Sequence, residues 1–334
     1  MMKYNFTSFM ANVIEDFIDY KHSCGLKYYS EVNILEQFDR HCLQNKREVI
    51  NLDRELVMSF LEKRENERIT NVANKATVIR GLGKYLINVK KMDNVFLVPT
   101  ISTRGQETYI PYVFNKKEIS KILYHSRNYI SHTPNVLPNI RNIVSCTFTM
   151  LYCTGMRNSE VINLKLKDVD FEKNLIYINE AKNDNKRIVT ISESLKKECL
   201  RYLEESKKYS LSNIYFFDTG IDKNQGRLHE DILYRYFREL LKKCEISHKG
   251  RGVGPRLHDL RHSFCVHSLK QLSGLEGDIN SYIYHLSIFL GHKSIYETQK
   301  YLWLTSELFE DTLSKTEEYT SFITTIFEEG YTDE

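Results

Sequence analysis

Residues 139–191, NIRNIVSCTFTMLYCTGMRNSEVINLKLKDVDFEKNLIYINEAKNDNKRIVTI, switch from helical to strand periodicity within one short stretch. Residues 139–153 are a continuous apolar helix, and Thr154-Gly155 stops it. Asn158-Ser159 caps a short helix through Leu164. Leu175–Asn179 then alternates apolar and polar residues, Asn183-Asp184-Asn185 is a turn signal, and Arg187–Ile191 returns as a strand. A β-hairpin over 175–191 follows from that pattern. Helices are predicted afterwards at 193–208, 229–245, 258–271, 278–290 and 294–304. The fold class is therefore mainly α with a small β-hairpin or sheet (α+β).

Upstream the chain reads as helix only. Apolar residues recur at helical spacing around Phe9–Phe17, Val32–Cys42, Leu56–Leu61 (after Asp53, an N-cap) and Ala73–Leu86. Four short helices make a bundle over 1–98. Lys75, Arg80, Lys84, Lys90 and Lys91 are expected to decorate its last helix and the end of it. Residues 99–111 (PTISTRGQETYIP) are polar, bounded by proline and without period, as in a linker. A second domain is expected over 112–304 and an acidic tail over 305–334.

Composition narrows the class. The chain has 334 residues, 41% hydrophobic and 27% charged, with 14 glycines and 5 prolines, which excludes a disordered or collagen-like chain. No apolar run reaches the ~18–20 residues of a membrane helix. Glu15 and Asp16 interrupt the first apolar stretch, against a signal peptide. The seven cysteines stand singly, with no CxxC pair, so a reduced, cytoplasmic protein is expected. Net charge is +3, but residues 305–334 carry −8 and residues 1–304 carry +11. A basic body suits an anionic partner; an unevenly charged soluble surface is the plainer alternative.

Five places in the second domain hold chemistry-bearing side chains: Arg157 after Thr154-Gly155-Met156, Lys182 at the mouth of the hairpin turn, His258 and Arg261 in HDLR, His292 in Leu290-Gly291-His292, and Tyr301. Each has a plainer reading. Arg157 can pair with Glu160 at i,i+3. Lys182 can be a solvated turn lysine, with Lys186 its competitor. His258, His262, His267 and His292 can be ordinary surface or core histidines. Tyr301 can be a packing residue, with Tyr296 and Tyr319 as rivals. His258 and His262 also have the i,i+4 spacing of metal ligands, but no suitable partner accompanies them.

In order and spacing these places together resemble the tyrosine recombinase (phage integrase) family. The matching stretches are 154–171, 181–191, LHDLRHSF (257–264) and LGHKSIYETQKYL (290–302). The resemblance covers the catalytic domain, 112–304. The first domain is similar to the family's four-helix core-binding (SAM-like) domain only in size, helicity and charge. By resemblance, Arg157 and Arg261 hold the scissile phosphate, Lys182 is the general acid, His258 the acid–base residue, His292 a hydrogen-bond donor to the phosphate, and Tyr301 the nucleophile. The residue types fit. Guanidinium forks match phosphate oxygens, and cations lower the cost of ionising a tyrosine whose unperturbed pKa is about 10.

The resemblance implies a site-specific recombinase that needs no metal, ATP or other cofactor. It would bind double-stranded DNA core sites as a homo-tetramer on two duplexes, with no membrane association, and would serve integration and excision of a mobile element. Accessory excision or host factors are compatible with it. A chromosome-dimer resolution recombinase, a topology-relaxing enzyme, a catalytically silent DNA-binding protein and a metal-dependent nuclease are the alternatives. The sequence departs from the family in three ways: Trp303 stands where many members have a histidine, residues 273–277 look like an extra loop, and no arm-type domain is expected ahead of the bundle. Base readout is expected from the helix Asn71–Val89 and from His229, Tyr234, Arg235 and Arg238. Leu308, Leu313, Phe322, Ile326 and Phe327 give the tail an apolar face suited to exchange between protomers.

Overall fold

The computed structural model describes residues 5–45, 50–65, 67–105, 109–128, 139–179, 186–207, 214–220, 226–250, 253–273 and 279–304, except the side chains of 273, 279 and 303. The chain divides into two compact units, Met1–Thr108 and Tyr109–Glu334.

Unit one is built from α1 (Ala11–Ser23), α2 (Tyr29–Gln44), α3 (Arg54–Leu61) and α4 (Ile69–Asn88). Asp53 caps α3, its carboxylate accepting the Leu56 N–H at 2.9 Å, as expected. Phe17, Phe38, Leu56, Ile79, Leu82 and Leu86 fill a core sealed from water. The basic residues of α4 are not all surface decoration. Lys75 is buried, ion-paired with Glu67 at 2.6 Å and lying over the Phe60 ring. Arg80 donates to the carbonyls of Val98 and Pro99, both at 2.6 Å, and Lys90 pairs with Asp16. Lys84 and Lys91 stay exposed. The sequence cannot show this, because a long basic side chain can turn its head inward wherever a carboxylate, carbonyl or ring face waits.

Unit two carries the mixed structure. Its helices are α5 (Lys116–Arg127), α6 (Ile140–Thr154), α7 (Asn158–Ile162), α8 (Glu193–Ser206), α9 (Glu230–Lys243), α10 (Asp259–Ser273), α11 (Ile279–Leu290) and α12 (Ile295–Gln299). Helix α6 is apolar nearly all round because it is the hub, packed by α5, α8 and α10. The expected hairpin pairs Leu175–Ile178 (β2) with Arg187–Thr190 (β3), antiparallel, Ile176 opposite Val189 and Ile178 opposite Arg187. Val169–Asp170 (β1) adds a third strand on the β2 edge.

Two expectations need correction. The helix after Gly155 begins with Arg157 at the cap position and ends at Ile162, not Leu164. The chain leaves it early because the Leu164 carbonyl accepts the Phe216 N–H and the Leu166 N–H donates to Ile214. The helix expected over 294–304 is broken. After α12 the chain turns, the Tyr301 N–H bonding the Thr298 carbonyl, and a 3-10 turn follows at Leu302–Leu304. Tyr301 therefore sits at a break, not on a helix face.

The Asp39 carboxylate, 3% exposed, accepts the N–H groups of Thr7 and Ser8, both at 3.0 Å, and so ties the start of the chain to α2. Asp39→Ala leaves those donors without that partner and is expected to cost about 2–3 kcal/mol. Urea unfolding of the whole chain followed by far-ultraviolet circular dichroism checks it.

Candidate active site

The site starts at the end of α6. Gly155 terminates the helix with φ +60°, and a Cβ there would lie 2.4 Å from the Phe264 ring and 2.9 Å from Leu290. Only glycine brings this turn so close to α10 and α11. The turn aims Arg157 at α11. Its guanidinium donates to the Gly291 carbonyl at 2.7 Å and to Glu160 at 2.9 Å, and its backbone N–H donates to the same carboxylate at 2.8 Å.

Glu160 is shared. Arg187 of β3 grips it through both terminal nitrogens, at 2.7 and 2.8 Å, and gives its Nε–H to the Phe289 carbonyl at 2.8 Å. Arg261 of α10, 2% exposed, donates to the carbonyls of Gly155 at 2.7 Å and Leu290 at 2.8 Å. Three guanidiniums thus end on the carbonyls of Phe289 and Leu290, the last two of α11, and of Gly291 just beyond it, where the helix dipole favours positive charge. Burial alone would raise the Glu160 carboxyl, but Arg187 and then Arg157 hold it down at about 2. At this end of α11, three cations meet one carboxylate among the described residues. The excess positive charge makes the place a receptor for an anion.

Three histidines and the tyrosine line the same place. The His258 and His262 rings stand perpendicular, centroids 4.8 Å apart. His292 bonds the Thr298 hydroxyl through Nδ1 at 2.7 Å, and its ring is nearly parallel to that of Tyr301, 6.2 Å away. Burial, then the neighbouring Arg261 and Arg157, lower His258 to about 4 and His292 to about 3. Both rings are neutral at neutral pH. The Tyr301 hydroxyl meets His262 Nδ1 at 2.8 Å, and the residue is 6% exposed. Burial and the Cys265 thiol push its pKa above the ordinary tyrosine value while Arg261 pulls the other way.

The structure therefore gathers Arg157, His258, Arg261, His292 and Tyr301. Lys182 lies outside the described residues, as do the 183–185 turn, the rival Tyr319, residues 274–278 and the tail from 305 on. Tyr296, the other rival, is 71% exposed. The pairing of Arg157 with Glu160 and its place in the cluster hold together. Of the residues expected to read bases, His229 caps α9, Arg235 lies over the Tyr236 ring, Arg238 bonds His248 and Tyr234 is exposed. Arg187 was not singled out from sequence, and His262 was read there only as an ordinary histidine or, with His258, at metal-ligand spacing. Arg187 had a legible signal, since in β3 it shares a face with the buried Val189, and an arginine on the inner face of a strand needs a buried partner.

The model of the phage integrase family matches residues 113–307. A putative integrase/recombinase, y4rB, of Sinorhizobium fredii is 23% identical over 317 residues, covering 93% of this chain and 98% of its own. Tyrosine recombinase XerC of Syntrophus aciditrophicus is 28% identical over 260 residues, 75% of this chain and 76% of its own. Among solved structures, the XerH recombinase bound to a palindromic difH substrate in a post-cleavage complex superposes with TM-score 0.59 at 19% identity, over 84% of this chain and 77% of its own. The Tn1549 transposon integrase in complex with transposon right-end DNA gives 0.58 at 15% identity, over 90% and 99%.

Glu160→Gln is expected to cost about 3 kcal/mol at pH 7, because Arg187 stays buried without a counter-charge. Glu160 has a folded pKa of about 2 against an ordinary 4.5. Its contribution is therefore complete above pH 4.5 and fades as pH falls toward 2. Stability of wild type and variant, measured by denaturation between pH 7 and pH 3, should converge on the acid side.

Proposed function

This chain belongs to the phage integrase family and is a DNA strand-exchange enzyme of the tyrosine recombinase type, and from that premise we propose how its residues carry the reaction. The observation that bears the reading is the gathering of Arg157, Arg261, His258, His292 and Tyr301 around the positive end-cluster of α11. The anion is the scissile phosphodiester of duplex DNA. Arg157 and Arg261, already fixed by protein carbonyls, stabilise the charge that grows on the non-bridging oxygens as the nucleophile adds. Fixed guanidiniums need no reorganisation at that moment.

The Tyr301 oxygen attacks phosphorus, the bond to the 5′-oxygen breaks, and a 3′-phosphotyrosyl link and a free 5′-hydroxyl result. Lys182 gives the departing oxygen its proton. His258 serves proton transfer at the phosphate and His292 donates a hydrogen bond to it. The link keeps the bond energy, so rejoining by the reverse steps draws on neither ATP nor a metal ion.

Residues 1–98 are a core-binding domain, 99–111 a linker and 112–304 the catalytic domain, acting on core sites as a tetramer on two duplexes in the cytoplasm. Integration and excision of a mobile element is favoured by the resemblance, along nearly the whole chain, to a putative integrase/recombinase. Chromosome-dimer resolution is the other assignment of the same chemistry. The tail 305–334 passes to a neighbouring protomer. A groove of about 490 Å³ lined by Phe264, Leu272, Tyr282, Leu286 and Phe289 suits the tail's apolar residues. Deleting 305–334 should leave cleavage of a single site intact and weaken assembly of two sites in native gels.

A nicked suicide duplex carrying a core site, incubated with EDTA, tests the chemistry. Wild type should trap a covalent protein–DNA adduct that Tyr301→Phe abolishes. An adduct that survives in the variant moves the nucleophile to Tyr296 or Tyr319.

A further inference from the structure

The reaction above leaves open which group removes the phenolic proton. The hydroxyl of Tyr301 has its hydrogen bond with His262, 2.8 Å from Nδ1, and not with the histidine of the HDLR stretch. His262 lies one turn beyond His258 on α10, and its other ring nitrogen, Nε2, is 3.8 Å from Asp259 Oδ1. That oxygen is sealed from water and has no hydrogen-bond partner. The second oxygen of the same carboxylate is fully occupied, accepting the Tyr109 hydroxyl and, at 2.7 Å, the Arg256 N–H. A buried carboxylate oxygen without a partner is costly, and this one faces an imidazole.

We propose that His262 is the proton acceptor for the Tyr301 nucleophile and that Asp259 orients and steadies its imidazole. The proposal rests on the reading of Tyr301 as nucleophile. In the resting enzyme Nε2 carries the hydrogen and faces Asp259, which leaves the Nδ1 lone pair for the Tyr301 O–H. As the Tyr301 oxygen bonds to phosphorus, its proton passes to Nδ1. The phosphorus–5′-oxygen bond breaks, and that oxygen takes its proton from Lys182. The imidazolium now faces the unpartnered oxygen of Asp259. On rejoining, Nδ1 returns the proton to the departing tyrosine. A carboxylate, an imidazole and a hydroxyl nucleophile in sequence share the logic of the serine–histidine–aspartate triad. Burial, then His258, Arg261 and Arg256, lower His262 to about 3, so its ring is neutral in the resting enzyme and the Nδ1 lone pair is free of a proton. Cys265 on the same helix, His292 beside the Tyr301 ring and Glu297 are further titratable groups near Tyr301. His262 therefore touches the reacting atom, whereas Asp259 is a positioning residue.

The experiment is single-turnover cleavage of the suicide duplex with EDTA, alongside a mobility-shift measure of DNA binding. His262→Gln keeps a hydrogen-bonding side chain but accepts no proton. It is expected to bind DNA as wild type does and to cleave about 10²- to 10⁴-fold more slowly. Added imidazoles should restore cleavage by His262→Ala, the rescued rate rising with the basicity of the imidazole, which a purely structural role would not produce. Asp259→Asn should slow cleavage, and the double variant with His262→Gln should be no slower than His262→Gln alone, since the two act as one unit. Cleavage by His262→Gln within threefold of wild type overturns the proposal. Faster cleavage overturns it too and makes the contact a latch on the nucleophile. A wild-type chain that forms no Tyr301-dependent adduct overturns the nucleophile reading, and this one with it. An intact Tyr301 dependence with an indifferent His262 overturns this one alone.

Discussion

A single buried carboxylate, Glu160, organises the catalytic half of this protein. It is 3% exposed and lies between the guanidiniums of Arg157 and Arg187. Those two arginines come from separate parts of the chain, the turn after α6 and the strand β3. Without the carboxylate, three guanidiniums, Arg261 included, would crowd the end of α11 against their own repulsion and the cost of leaving water. With it, the charge is reduced but not cancelled. The remainder faces the place where Tyr301 lies and suits an anion.

The end of α11 is the second half of that constraint. A helix leaves its last carbonyls without helical partners. Here Phe289, Leu290 and Gly291 give theirs to Arg187, Arg261 and Arg157 respectively. One helix terminus thus fixes the direction of all three cations, and their donor geometry is set before any DNA arrives. Gly291, with φ +66°, closes the helix there, and a Cβ at that position would lie 2.9 Å from Arg187. Gly155 plays the matching part at the end of α6. At Gly155 a side chain would run into Phe264 and Leu290, and at Gly291 into Arg187.

Around these arginines the histidines are buried and held neutral. His258 and His292 face guanidiniums and are largely removed from water, so protonation is disfavoured twice over. Tyr301 is buried against α10 just after α12 ends, at a turn closed by the bond from its N–H to the Thr298 carbonyl, and its hydroxyl meets His262 of α10. A side chain on a continuous helix would point where the helix period put it; one at a break is aimed by local hydrogen bonds. The site therefore combines arginines tied to backbone carbonyls with a tyrosine placed by a short, irregular segment.

The class of the molecule, and the motifs that hold its candidate site residues, can be read from short stretches of sequence. The apolar run that ends at Thr154-Gly155, the alternation over β2 and β3, and the Asp53 cap each carry their cause within a few neighbouring residues, so they are readable without a fold. The order of Arg157, His258, Arg261, His292 and Tyr301 was legible for the same reason, each lying in its own short motif. Tertiary structure alone decided which side chains meet. Arg187 reaches Glu160 across 27 positions and Arg157 reaches Gly291 across 134. The burial of Lys75, the engagement of Arg80 and Lys90, the break before Tyr301 and the contact between His262 and Tyr301 belong to the same class. A charged or polar head has no periodicity of its own. Its partner is set by the packing of distant elements, and that packing exists only once the chain has folded.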